Sequence, residues 1–318
     1  KLAMSLSWLN QPSLVATNGI ATLLGLPMAE ALIAGDSLSL GTIKALNIAI
    51  FGLNVFAVGQ PGRIDSPENL EECEDKKKDD ESPSLRDYLS GNSLVAPSPW
   101  AFAIWGFIYL GEFIFVVSST AFVQENGPEE ILYRKVSGSF MVAQVFQILW
   151  TASFRPKYKG NLIFISASML AGIAYSLNRA HAQFAATDVG VRDFVLYFLP
   201  LSLHFGWTTA ASLVNLNGGL AMLKQVPLVI TTSVGHLSAV LATVLGVYVT
   251  THRRAPVFGC VIAWALTACA TGMGKRIQQG AKGKSNSQLM TAQRRQRWLC
   301  FVGACLSAGA AGFLALGY

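Results

Sequence analysis

The chain has 318 residues, of which 52% are hydrophobic and 13% charged, with a formal net charge of +6. A soluble domain carries about 25% charged residues, so a water-soluble globular fold is excluded and the long uncharged runs read as membrane-spanning helices. The runs are continuous rather than alternating, which argues against a β-barrel. The basic excess clusters in one loop, at Lys275, Arg276, Lys282, Lys284, Arg294, Arg295 and Arg297. Such a cluster meets anionic headgroups or sets topology, and it is no signal for nucleic acid.

In chain order, Leu14–Ala34 is apolar but carries Pro27 and Glu30. It reads as an interfacial or re-entrant segment, or as the remnant of a targeting sequence. Eight apolar runs follow: Gly41–Gly59, Trp100–Val123, Val136–Phe154, Asn161–Asn178, Phe194–Leu216, Val226–Thr250, Ala255–Met273 and Trp298–Gly317. The expected fold is therefore all-α, a polytopic helical membrane protein with about eight transmembrane helices. Lys and Arg divide sixteen to eight between alternate loops, so the loops after the first, third, fifth and seventh runs should face the cytosol, matrix or stroma.

Between the first two runs, Asp65–Asp87 holds 10 of the 18 acidic residues. Its composition cannot support a core, so it should be ordered only by a partner or by folding over a pocket mouth. The five cysteines form no C-x-x-C pair, which points to neither a zinc site nor a disulfide framework. In the last run Gly303, Ser307 and Ala311 share one line and Ala304, Ala308 and Gly312 the next. Small residues at intervals of four permit close helix packing.

Polar side chains inside hydrocarbon need partners, because leaving one unpaired costs free energy. Glu112 sits near the middle of its run, and Trp105 and Tyr109 precede it on the same face. Ser137, Gln144, Gln147 and Thr151 form a stripe on the third run, and Asn47 and Asn54 stand seven apart on the first. On the fifth run Pro200, His204, Trp207, Ala211 and Asn215 follow at spacings of 4, 3, 4 and 4, which places them on one helical face. Interhelical hydrogen bonding and a shared cavity both account for such stripes.

His204 and His236 lie well inside runs. Each either donates to a backbone carbonyl or serves as a ligand. A bare metal ion needs three or four converging ligands, and no such set is visible. A tetrapyrrole needs one or two axial ligands, which His204, His236, Gln144, Gln147 or Glu112 could supply. No Ser-His-Asp spacing, P-loop or dinucleotide fingerprint is present, so the expected function is non-enzymatic.

Three segments carry a family resemblance. Pro99-Trp100-Ala101-Phe102-Ala103-Ile104-Trp105-Gly106-Phe107-Ile108-Tyr109, then Gln144 to Phe154 with Leu149-Trp150-Thr151, then Trp207-Thr208-Thr209-Ala210-Ala211-Ser212-Leu213-Val214-Asn215 occur in this order. The chain resembles the tryptophan-rich sensory protein (TspO/MBR) family of five-helix membrane proteins. It departs at Ala103-Ile104, where the family has a proline, at Gln147 in place of an asparagine, and in three further spans after Asn215. The resemblance implies a TspO-like five-helix bundle over residues 41–216, an N-terminal segment 1–40 and three additional helices over 217–318. It also implies a pocket for porphyrins or sterol-like lipids lined by Trp100, Trp105, Tyr109, Gln147, Trp150, Trp207 and Asn215.

From residues and resemblance together, the expected ligand is a tetrapyrrole (chlorophyll or porphyrin), with carotenoid or lipid as further candidates. The expected partners are membrane lipids and other subunits of a membrane complex, with no nucleic acid. The expected setting is an organellar membrane, a plastid thylakoid first and a mitochondrial membrane second, with the chain an accessory subunit of a photosynthetic complex. The competing expectations are a stand-alone porphyrin or lipid sensor or transporter, and a purely structural subunit.

Overall fold

The structure is a computed structural model that describes residues 10–35, 37–64, 93–187, 190–223, 225–281 and 287–316. Among these residues there is no strand, and nine long helices follow one another: α1 Pro12–Ala34, α2 Leu40–Val58, α3 Ile104–Phe122, α4 Glu130–Ser153, α5 Ile163–Ala185, α6 Leu199–Met222, α7 Leu228–His252, α8 Pro256–Ala281 and α9 Ser287–Ala315. The acidic stretch Asp65–Asp87 lies outside the described residues.

Eight of the helical stretches are long and apolar enough to cross a membrane by length and composition. The stretch Leu14–Ala34 is among them, as one helix running through Pro27. The stretch absent from them is α4. It starts at Glu130, ahead of the apolar run, and includes Arg134, Lys135 and the polar stripe. Enclosure explains how α4 tolerates that composition. Fourteen of its 24 residues are buried, and it packs against both α1 and α2. The polar stripe Ser137, Gln144, Gln147 and Thr151 is buried and meets protein rather than lipid.

The chain divides into two compact units. Unit one contains Lys1–Arg63, Trp105–Tyr158 and Ile165–Thr208, and unit two contains Ile64–Ile104, Lys159–Phe164 and Thr209–Tyr318.

In unit one, α1 and α4 approach so closely that a methyl on Gly138 would lie 2.9 Å from the Glu30 Cα and 3.1 Å from the Ala29 carbonyl oxygen. The approach lets Glu30 accept hydrogen bonds from Ser139 and from both Nε and Nη2 of Arg179 on α5. One buried amide bonds twice across the bundle. Asn47 of α2 donates to Tyr133 Oη at 2.8 Å and to Ser137 Oγ at 2.9 Å. Helix ends are closed by side chains: Ser39 Oγ accepts from Thr42 N at 3.1 Å to cap α2, and Lys44 donates to the Thr120 and Val123 carbonyls at the end of α3. Such bonds satisfy groups a helix terminus leaves open.

In unit two, α8 packs on α7 and α9. The line Gly303, Ser307, Ala311 is buried, whereas of the second line only Ala304 is, and Ala308 and Gly312 are exposed. A methyl on Gly246 would meet Ser307 Oγ at 2.5 Å, and one on Gly259 would meet the Ser307 carbonyl at 3.0 Å. The small-residue line is thus spent inside the unit. The segment before the 3-10 turn Pro99–Ala103 lies on α8, with Ser98 N donating to the Ala268 carbonyl at 2.9 Å and the Trp264 indole donating to the Ala101 carbonyl at 3.1 Å.

Gly138→Val should lower the thermal midpoint of the detergent-solubilised protein, because the contact it violates is backbone and overpacking costs roughly 1–3 kcal/mol. Gly52→Ala, with nothing within 4 Å of the added carbon, should leave the midpoint unchanged or higher. Equal effects in the two variants would show that the α1–α4 contact is not tight.

Candidate functional site

The polar stripes of four helices meet in unit one. His204 on α6 places Nδ1 2.6 Å from Oε1 of Glu112 on α3. Gln144 on α4 donates Nε2 to the same oxygen at 3.0 Å, and Asn54 on α2 donates to Gln144 Oε1. All four side chains are fully or almost fully buried. Glu112 Oε1 already accepts the Gln144 amide, so a proton on that oxygen would oppose the amide hydrogen. The His204 Nδ1 therefore carries the proton and donates. In the neutral ring Nε2 is then the acceptor, and Nε2 has no hydrogen-bond partner although the residue is 1% exposed. Glu112 Oε2 is likewise buried and unpartnered.

Local backbone chemistry positions the pair. Pro200 lacks an N–H, so the usual bond to the carbonyl four residues back cannot form. The preceding residues Phe194–Phe198 adopt a π-helical turn, with Leu199 N donating to the Phe194 carbonyl. A π turn of this kind is a recurrent feature of functional sites. On α3, Gly111 faces the proline, and a methyl there would sit 3.0 Å from Pro200 Cβ and 3.2 Å from Cγ. The missing side chain lets α3 come close enough for the adjacent Glu112 to reach His204. Thr208 Oγ1 donates to the His204 carbonyl at 2.8 Å, one turn on.

Aromatic rings close around the polar pair. Trp105 is the hub: its ring centroid is 5.8 Å from Tyr109, 5.8 Å from Trp150 in a stacked pair, 5.8 Å from His204 and 6.2 Å from Trp207. Trp150 stacks on Phe154 at 5.3 Å, and the Arg63 guanidinium lies 5.2 Å from its centroid. Gln147 donates to Tyr109 Oη at 3.2 Å, while Gln147 Oε1 and Trp150 Nε1 are buried without partners.

The structure thus brings together Trp105, Tyr109, Glu112, Gln144, Gln147, Trp150, His204 and Trp207. Trp100, Asn215 and His236 belong to unit two. Trp100 is exposed and packs edge-on against Trp264 at 4.6 Å. Asn215 donates to the Ala211 carbonyl of its own helix at 3.2 Å. His236 bonds through Nδ1 to Gln296 Oε1 at 2.7 Å, and Gln296 donates on to the Gly235 carbonyl at 3.1 Å. Asn54, Gly111 and Arg63 join the site without having been named in its lining. The spacing of Asn54 from Asn47 signalled a buried face, whereas nothing in the sequence signalled Arg63.

The sequence profile of one family, TSPO-like protein, matches residues 82–280. The match covers more than half of the chain. The chain belongs to the TSPO-like protein family. No curated protein and no solved structure matches it. The TSPO-like segment contains every residue of the aromatic and polar cluster except Asn54 and Arg63, which come from the chain before it.

Glu112→Leu and His204→Leu should each destabilise the protein by roughly 1–3 kcal/mol, since each leaves a buried hydrogen-bonding group of the other unpaired. The double variant should be milder than the sum, because both polar groups are then gone. Thermal unfolding of all four proteins in detergent measures the coupling, and strict additivity would refute the contact.

Proposed function

We propose that this TSPO-like membrane protein binds a metal-bearing tetrapyrrole, chlorophyll or porphyrin, against the aromatic cluster of unit one, where His204 is the residue that would ligate its metal. The observation that carries the reading is the state of the imidazole. A metal-ligating histidine usually donates its second ring N–H to a carboxylate or carbonyl, which fixes the tautomer and makes the free nitrogen more basic. His204 has this arrangement, with Nδ1 on Glu112 and Nε2 buried and unpartnered. The donor chemistry of His204 and Glu112 therefore fits the metal of such a group.

When bound, such a group supplies a metal that accepts a nitrogen lone pair and a conjugated ring that absorbs visible light. The chain's own residues do the rest. Glu112, held by Gln144, orients the imidazole. Trp105, Trp150 and Trp207 offer flat apolar faces and exclude water. Gln147 and Tyr109 supply a hydrogen-bonding edge. No group in the cluster stands as a nucleophile beside a base, and we read the role as non-enzymatic.

The reading extends to an accessory subunit of a pigment-bearing complex in an organellar membrane, a plastid thylakoid first. Its support is the set of helices beyond the aromatic motifs and the outward rings Trp298, Phe301 and Phe313 on α9. Co-migration with a large pigmented assembly on a native gel would favour this placement over a stand-alone porphyrin or lipid sensor.

Chlorophyll a or zinc protoporphyrin added to the purified protein in detergent should bind near one equivalent and show a shifted absorption band. His204→Phe should weaken binding at least tenfold or return the band to its free position, with helical content unchanged. Unaltered pigment content and spectrum in the folded variant would reject the ligand role.

A further inference from the structure

A cavity in unit one, of about 260 Å³, lies where α3 and α5 end and where α4 and the stretch leading into α6 begin. The aromatic cluster around Trp105 and Trp150 sits instead toward the start of α3 and the end of α4. The cavity is below the range of about 300–1,000 Å³ that holds drug-sized ligands. A macrocycle or a sterol does not fit. A compact group does.

Its walls and mouth have a definite chemistry. Phe115, Tyr133, Phe184 and Tyr197 are buried in its lining, and Glu129 and Asp193, with side chains 22% exposed, form its solvent-facing part. Phe115 lies 6.1 Å from Tyr133 and 5.8 Å from Tyr197 by ring centroid. Aromatic faces attract cations through their quadrupole, and aromatic boxes are the common receptor for quaternary ammonium groups. The two carboxylates already share one organic cation. Arg192 pairs with Glu129 at 2.5 Å and with Asp193 at 2.8 Å, and its guanidinium lies 5.7 Å from the Phe122 ring centroid. The hydrogen bond from Arg192 holds the Glu129 carboxyl below the ordinary carboxylate range, so it is ionised at neutral pH. Two acids against one guanidinium leave the mouth short of positive charge. The Arg192 side chain is 52% exposed, so it can turn to water when another cation enters.

We propose that this cavity is a binding site for a quaternary ammonium group, held by the four rings and by Glu129 and Asp193. Its place at the ends of long apolar helices puts it at headgroup level. The source is then the choline headgroup of a membrane lipid, whose phosphate the released Arg192 would meet, or a small free amine of the same chemistry. This site is independent of the tetrapyrrole reading, and either can fail alone.

Tetramethylammonium chloride titrated against the full chain in detergent should raise the thermal midpoint saturably, where equal sodium chloride does not. The double variant Glu129→Gln, Asp193→Asn keeps the shape and removes the charge, and it should respond at least tenfold more weakly. Should it not fold, Phe184→Leu removes one wall and leaves the acids, with the same tenfold loss expected. No saturable rise in the parent protein, or an equal response in a folded variant, would overturn the proposal. Native mass spectrometry after reconstitution in phosphatidylcholine nanodiscs separates the sources. Retained phosphatidylcholine in the parent but not the variant identifies the lipid headgroup, and a tetramethylammonium response without retained lipid identifies a free amine.

Discussion

A polar group inside hydrocarbon must find a partner within the protein, and that constraint organises unit one around α4. The helix is too polar to rank with the other eight as a lipid-crossing span, and α1 and α2 pack on it. Four of its serines and glutamines select a neighbour: Ser137 takes Asn47, Ser139 takes Glu30, Gln144 takes Asn54 and Glu112, and Gln147 takes Tyr109, while Ser153 bonds back to its own helix. A seam of this kind fixes which helices sit together and in which rotation, something apolar packing in lipid does weakly because lipid tails are as apolar as leucine.

The site grows from the same seam. Glu112 collects the relay that begins at Asn54, and it passes orientation to His204. What makes the contact reachable is steric: Gly111 leaves room for Pro200, and the π-helical turn before Pro200 absorbs the bond that proline cannot make. Among the buried atoms without a hydrogen-bond partner, His204 Nε2, Glu112 Oε2, Gln147 Oε1 and Trp150 Nε1 fall in this cluster, and others such as Asn217 Oδ1 and Gln293 Oε1 lie in unit two. Buried groups without partners destabilise a fold.

Unit two follows a different rule. Its helices pack through small residues, Gly246 and Gly259 against Ser307 and Gly303 against Thr243, with the His236–Gln296 bond as a polar tie. Close backbone approach and dispersion do there what the polar seam does in unit one.

Much of this was legible in the sequence, for identifiable reasons. Continuous apolar runs fixed the helices, because only an internally bonded helix spans hydrocarbon without a closed sheet. Spacings of three, four and seven fixed the buried faces: Ser137, Gln144, Gln147 and Thr151 are all buried, as are Asn47 and Asn54. The spaced tryptophans fixed the family. Helical phase, however, says only that residues look the same way, never what they look at. His204 and Asn215 share a stripe, yet eleven residues at 1.5 Å each separate them by about 16 Å along α6, and Asn215 turns to its own helix. Trp100 precedes Trp105 by five residues but lies in a 3-10 turn outside the phase of α3. The polar stripe of α4 became intelligible only when α1 and α2 were seen to pack on that helix. The sequence by itself determined that the chain is helical, membrane-spanning and striped with polar and aromatic faces. Tertiary structure alone decided that Glu112 meets His204, that Arg63 covers Trp150 and that Trp100, Asn215 and His236 bond elsewhere, because pairing across helices depends on rotation and approach that no single helix encodes.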